Sequence, residues 1–83
     1  MPRYFFDIHD GSFARDHEGV DCADLDAARR QVKRTLSDFA KDFLPKDGEQ
    51  HSFSIVVRDE QNRSVYTATL AFNGFCLENP VAT

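Results

Sequence analysis

Apolar and polar positions alternate through the opening segment of the chain. Tyr4, Phe6 and Ile8 fall on one side and Phe5, Asp7 and His9 on the other, which is the period of a β-strand over about residues 3–9. Asp10-Gly11 turns the chain, and residues 12–15 return as a short second strand. Glu18-Gly19 marks another turn, after which Val20 re-enters the apolar layer. The period then changes. Leu25, Ala28, Val32, Leu36, Phe39 and Phe43 recur at spacings of three and four, the single apolar stripe of a helix over about residues 25–43. Asp24 suits its N-cap and Asp26 adds a negative charge in the first turn, while Pro45 disfavours helical geometry at Leu44 and ends it.

Period two resumes with Phe53, Ile55 and Val57 against Ser54, Val56 and Arg58, a strand over about residues 52–58. Asp59–Asn62 forms a turn in which Asn62 is able to take the left-handed conformation that Gly often fills. Tyr66, Ala68, Leu70 and Phe72 then alternate with Val65, Thr67, Thr69 and Ala71, a strand over about residues 63–72 that Asn73-Gly74 stops. The tail, residues 75–83, contains Pro80 and reads as irregular, with Phe75 and Leu77 packing back onto the domain.

The resulting order, β-β-α-β-β, predicts an α+β fold. One helix stripe and one sheet face bury each other in a two-layer sandwich, with a mainly antiparallel four-stranded sheet packed on one long helix. Residues 1–83 form a single domain. The inner layer is expected to hold Tyr4, Phe6, Ile8, Phe53, Ile55, Val57, Tyr66, Leu70 and Phe72, with Leu36 and Phe39 fully buried in its middle. Eight Phe in 83 residues supply much of that core.

The stretch PRYFFDIHDG, followed by RDHEGV and by a helix opening DLDAAR, resembles a family of short bacterial proteins known as a domain of unknown function. The resemblance runs from Pro2 to about Phe72. It implies a shape and brings no assigned activity.

Charge narrows the function classes. A net charge of −4 is unlike the basic balance of dedicated nucleic-acid binders. No apolar run approaches the ~20 residues that span a bilayer, and no basic-then-apolar leader precedes the first strand, so a cytoplasmic location without membrane contact is expected. Cys22 and Cys76 stand apart from any zinc or redox spacing and read as reduced, partly buried small hydrophobes. No sequence pattern calls for a cofactor.

His9, Asp16 and His17 offer a mixed N/O ligand set if the first hairpin gathers them, but their spacing matches no metal motif, and turn-forming Asp and Gly explain the segment as well; no metal site is assigned. Pro2 would carry a secondary amine if Met1 were removed, the chemistry that tautomerases with an amino-terminal proline use. Here a hairpin rather than a helix follows the first strand, and no Arg-lined carboxylate site is evident. The scattered Ser residues lack a nucleophile-elbow context and the four Gly form no phosphate loop. No catalytic residue is assigned.

Two surfaces remain. Arg29, Arg30, Lys33 and Arg34 lie on the helix away from its apolar stripe and offer an anion-binding patch for an acidic partner or nucleic acid, or else a solvated face. On the far side of the sheet Phe5, Val56, Val65, Thr67 and Thr69 point away from the helix, interrupted by Asp7, His9 and Arg58. One helix covers one face of a sheet, and a contiguous apolar surface marks an interaction site. A non-catalytic interaction module, forming a homodimer or binding another protein, is the reading that the sequence favours. The uncharged run from Tyr66 to Phe72 must then lie inside the sheet or pair across the dimer.

Overall fold

A computed structural model of the chain describes residues 2–43 and 50–77. Among them the element order is β1 (Arg3–His9), β2 (Phe13–Ala14), β3 (Val20–Asp21), α1 (Leu25–Phe43), β4 (Gln50–Arg58) and β5 (Ser64–Asn73). The fold is α+β, with an open antiparallel sheet of five strands on one helix. The fifth strand is a finding. After the Glu18-Gly19 turn, Val20–Asp21 pairs with the start of β1, Tyr4 opposite Val20 and Arg3 opposite Asp21. The returning arm of the first hairpin is correspondingly shorter than expected, two residues pairing Ile8 with Ala14 and His9 with Phe13.

The sheet runs β2-β1-β4-β5, with β3 beside β2 on the same edge of β1. Its register stacks inner residues across strands: Phe6 faces Val57, Ile8 faces Ile55, and on the other flank Ala68 faces Ile55 and Tyr66 faces Val57. The β4–β5 ladder slips by one residue beside Val65, where Arg58 pairs with Ser64 and Val57 with Tyr66. From Tyr66 to Asn73 the ladder is regular. Asn62 takes φ 63° in the intervening turn, a conformation that its short polar side chain tolerates.

Helix α1 starts where its cap allows. The Asp24 carboxylate accepts the Ala27 N–H at 2.9 Å, satisfying one of the unpaired first-turn donors. Its stripe then buries Ala28, Val32 and Leu36 against Phe53, Ile55 and Val57. The helix lies along the middle of the sheet, so the flanks are covered less. Phe39 is half-buried rather than fully buried, packed on Phe53 with ring centroids 5.7 Å apart. Leu25 and Phe72, at the ends of their elements, are exposed, since a single helix cannot roof the full length of the edge strand. The expected helix stop at Leu44–Pro45, and the Phe43 side chain, fall outside the described residues.

Two further expectations are corrected. Phe75 and Leu77 do not pack back: they remain 72% and 66% exposed. Cys22 is fully buried while Cys76 is exposed, and both are free thiols. Burial pushes the Cys22 thiol up, with the Asp21 and Asp24 charges adding to the effect, so it is a packing residue rather than a nucleophile.

Candidate interaction surface

The sheet face turned away from α1 has two unlike halves. On the β1 side, Asp7 and Arg58, which the alternation sends outward, are 4% and 9% exposed. Arg58 grips Asp7 through two bonds, Nε to Oδ2 at 2.7 Å and Nη2 to Oδ1 at 3.0 Å, the paired-fork geometry that makes such bonds strong. Its remaining donors reach the Asp16 carbonyl at 2.9 Å and the Asn62 Oδ1 at 2.7 Å, and the Phe5 ring lies 5.1 Å from the guanidinium carbon. Arg15 donates to the same Asn62 oxygen at 3.1 Å. A buried charge left alone would be costly; here each partner is bonded.

Asp16 holds the other end of this network. Its N–H donates to Asp7 Oδ1 at 2.9 Å, while its carboxylate accepts the backbone N–H groups of Phe6, Glu18 and Gly19 at 3.0–3.1 Å. The carboxylate thereby fills the gap in the β1 edge between β2 and β3, answering an amide that no strand reaches. Gly19 closes the loop with φ +75°, where an added Cβ would lie 2.7 Å from Arg3 Cγ and 2.9 Å from the Phe5 ring, so glycine is required both by conformation and by space. Burial pushes the Asp16 carboxyl up, but the three backbone donors outweigh it and hold the group below the usual carboxylate range. In Asp7 burial is likewise overcome, by the Arg58 bonds, the Asp16 N–H and the Arg58 and Arg15 charges.

Asp16 is engaged by backbone, His9 is stacked on Phe13 at 4.5 Å and His17 is exposed, and no group of three or more His, Cys, Asp or Glu among the described residues is placed to hold a metal ion. Pro2 is exposed, and its carbonyl accepts the Cys22 N–H at 2.9 Å. A groove lined by Phe6, Ile8, Ala14, Val20, Gln31 and Thr35 opens between α1 and β1; the Arg15 and Asp16 side chains at its rim are already engaged in the bonds described above.

Two of the four helix cations, Arg29 and Arg34, bond to side chains of the same helix. Arg29 pairs with Asp26 at 3.3 Å and lies 5.5 Å from the centre of the Tyr66 ring. Arg34 donates to Gln31 Oε1 at 3.3 Å, and Arg30 and Lys33 are exposed.

The β5 half of the outer face is different. Val65, Thr67, Thr69 and Ala71 are exposed there, beside half-buried Val56. Thr69 and Ser54 hydroxyls bond across the strands at 2.8 Å, and the Thr67 hydroxyl donates to the Ile55 carbonyl at 3.1 Å. A shallow hollow runs along Val56, Ser64, Val65, Tyr66 and Thr67. Above all, β5 is the last strand of the sheet, and its ten residues carry no charge. Of the face singled out from sequence, Phe5 covers Arg58, whereas Val56, Val65, Thr67 and Thr69 lie along this open side. The burial of Asp7 and Arg58 was not legible from alternation. Its one sequence signal is a pair of opposite charges interrupting an otherwise uncharged outward face.

No helix among the described residues is long and apolar enough to cross a membrane. Neither a curated protein nor a solved structure matches the chain. A family model does, over residues 3–71, from the first residue of β1 into β5: the chain belongs to the family described as domain of unknown function (DUF6894).

Proposed function

We propose that this protein is a non-catalytic interaction module that associates with a second copy of itself through the edge of β5. The observation that carries the reading is the bare edge: a ten-residue terminal strand without a single charge or proline. Such an edge presents a row of N–H and C=O groups ready to pair, and proteins that stay monomeric usually blunt it. The slip beside Val65 interrupts only the start of β5.

A second copy fits this edge well. Antiparallel pairing about a twofold axis normal to the sheet opposes the strand to itself, so an uncharged strand meets no like charge, although each chain carries −4 overall. Thr67, Thr69 and Ala71 then line one side of the junction and Ala68, Leu70 and Phe72 the other. The edge is preferred over face-to-face stacking because the β1 half of the outer face is already filled by the Asp7–Arg58 network.

Sedimentation equilibrium tests the reading. The wild type is expected at twice its 9.5 kDa mass at micromolar concentration, and Thr69→Lys, which sets two ammonium groups near the axis, is expected at 9.5 kDa with an unchanged circular dichroism spectrum. A wild type fixed at the monomer mass at every concentration overturns it.

A further inference from the structure

Phe75 and Leu77 are large apolar side chains, 72% and 66% exposed, directly after the edge strand. They find no seat among the described residues of their own domain. At the opposite end of β5 the hollow along Val56, Ser64, Val65, Tyr66 and Thr67 lies open. Within one chain these features are separated by the strand itself, about 3.3 Å per residue over Ser64–Asn73. Pairing two copies antiparallel brings them together.

The regular part of β5 runs from Tyr66 to Asn73, and antiparallel partners must share a face, so a self-pairing centred on Leu70 sets Asn73 of one copy beside Thr67 of the other. Two residues on, Phe75 reaches the hollow. We infer that the segment Phe75–Leu77 of each chain docks reciprocally into the Val56–Val65–Thr67 hollow of the second copy. This rests on the β5 pairing proposed above and names what that pairing would otherwise lack. Stable assemblies bury on the order of 1,200–2,000 Å² in total, and one strand-edge contact contributes mainly a line of backbone bonds. A buried Phe removes ~150–250 Å² from water. Two Phe75 rings and two Leu77 side chains, with the surface they cover, bring the contact into that range. The exchanged segment also carries Cys76, exposed and free, which supplies a reporter.

The test compares the wild type with the double variant Phe75→Ser, Leu77→Ser by sedimentation, and measures the thermal midpoint of each at concentrations where the chains are monomeric. The dimer dissociation constant is expected to rise tenfold or more, with the monomer midpoint unchanged. In parallel, Ser64→Cys is treated with a short bismaleimide, and a covalent dimer through Cys76 is expected that the wild type does not give. A wild-type dimer with the same dissociation constant in the double variant overturns tail docking while leaving the strand pairing standing. A wild type that never dimerises overturns both. An equal fall in the monomer midpoint means that the tail packs on its own domain, and absence of the covalent dimer places it away from this hollow; either result overturns the inference.

Discussion

The two edges of the sheet are finished in opposite ways. Along β1 the outer edge is covered throughout: β2 pairs at one end, β3 at the other, and the Asp16 carboxylate takes the Phe6 N–H between them. Behind that edge Asp7 and Arg58 tie the covering loop to β4. Along β5 there is no covering element among the described residues, no charge and no proline. One edge is closed by some of the most constrained residues in the molecule, and the other is left as a regular, uncharged strand. The contrast teaches that an open edge here is not a default of small size, because the same chain devotes residues 10–21 to closing its counterpart.

The largest expected effect breaks the closed edge. Arg58→Ala leaves the Asp7 carboxylate buried without its partner, and breaking one side of a buried pair costs on the order of 3–5 kcal/mol. Chemical denaturation is the measurement. A loss below about 1 kcal/mol would show the network to be ornamental and the contrast between the edges weaker than argued. A smaller effect separates the middle of the core from its margin. Leu36→Ala removes a side chain buried under the helix and should cost about 2–5 kcal/mol through lost burial and cavity formation. Phe39→Ala, half-buried at the margin, should cost less than Phe53→Ala, whose ring is 1% exposed. A reversed order in melting experiments would put the centre of the core elsewhere.

The pH dependence is gentler and has a definite sign. Asp7 and Asp16 sit below the usual carboxylate range in the folded chain, against about 3.9 when unfolded. Their contribution to stability is therefore complete above that unfolded value and is lost as pH falls through the lowered native values. The thermal midpoint should hold between about pH 5 and 8 and decline below about pH 4. Asp16→Asn, which keeps an oxygen acceptor but no charge, should flatten that decline. A midpoint that falls equally in the variant would assign the acid sensitivity to other groups.

How much of this was legible in the sequence differs by region for physical reasons. The helix, its Asp24 cap and the inner faces of β1, β4 and β5 followed from periodicity, since burial on one face imposes a spacing on the chain. The Asn62 turn followed from a residue type whose short polar side chain tolerates positive φ. What alternation could not give was the fate of Asp7 and Arg58. Strand period assigns a side, not an environment, and only the loop at residues 15–19 folding back over that side makes it interior. The two-residue strand β3 was equally hidden, because so short a strand has no period to detect. Phe39 and Phe72 were assigned to the core by pattern, but pattern is blind to where a helix ends its reach across a sheet. The open edge was half legible: the uncharged run was plain, whereas its place at the sheet's end needed the strand order.

Hydrogen exchange, followed residue by residue at two protein concentrations, tests the contrast between the edges most directly. At high concentration the outward-facing amides of Tyr66–Phe72 should be protected, and dilution should release them, while the Phe6 amide bonded to Asp16 should exchange at the same slow rate throughout. Amides of β5 that exchange equally fast at both concentrations would contradict the account, leaving an edge that is bare and has no partner in a second copy.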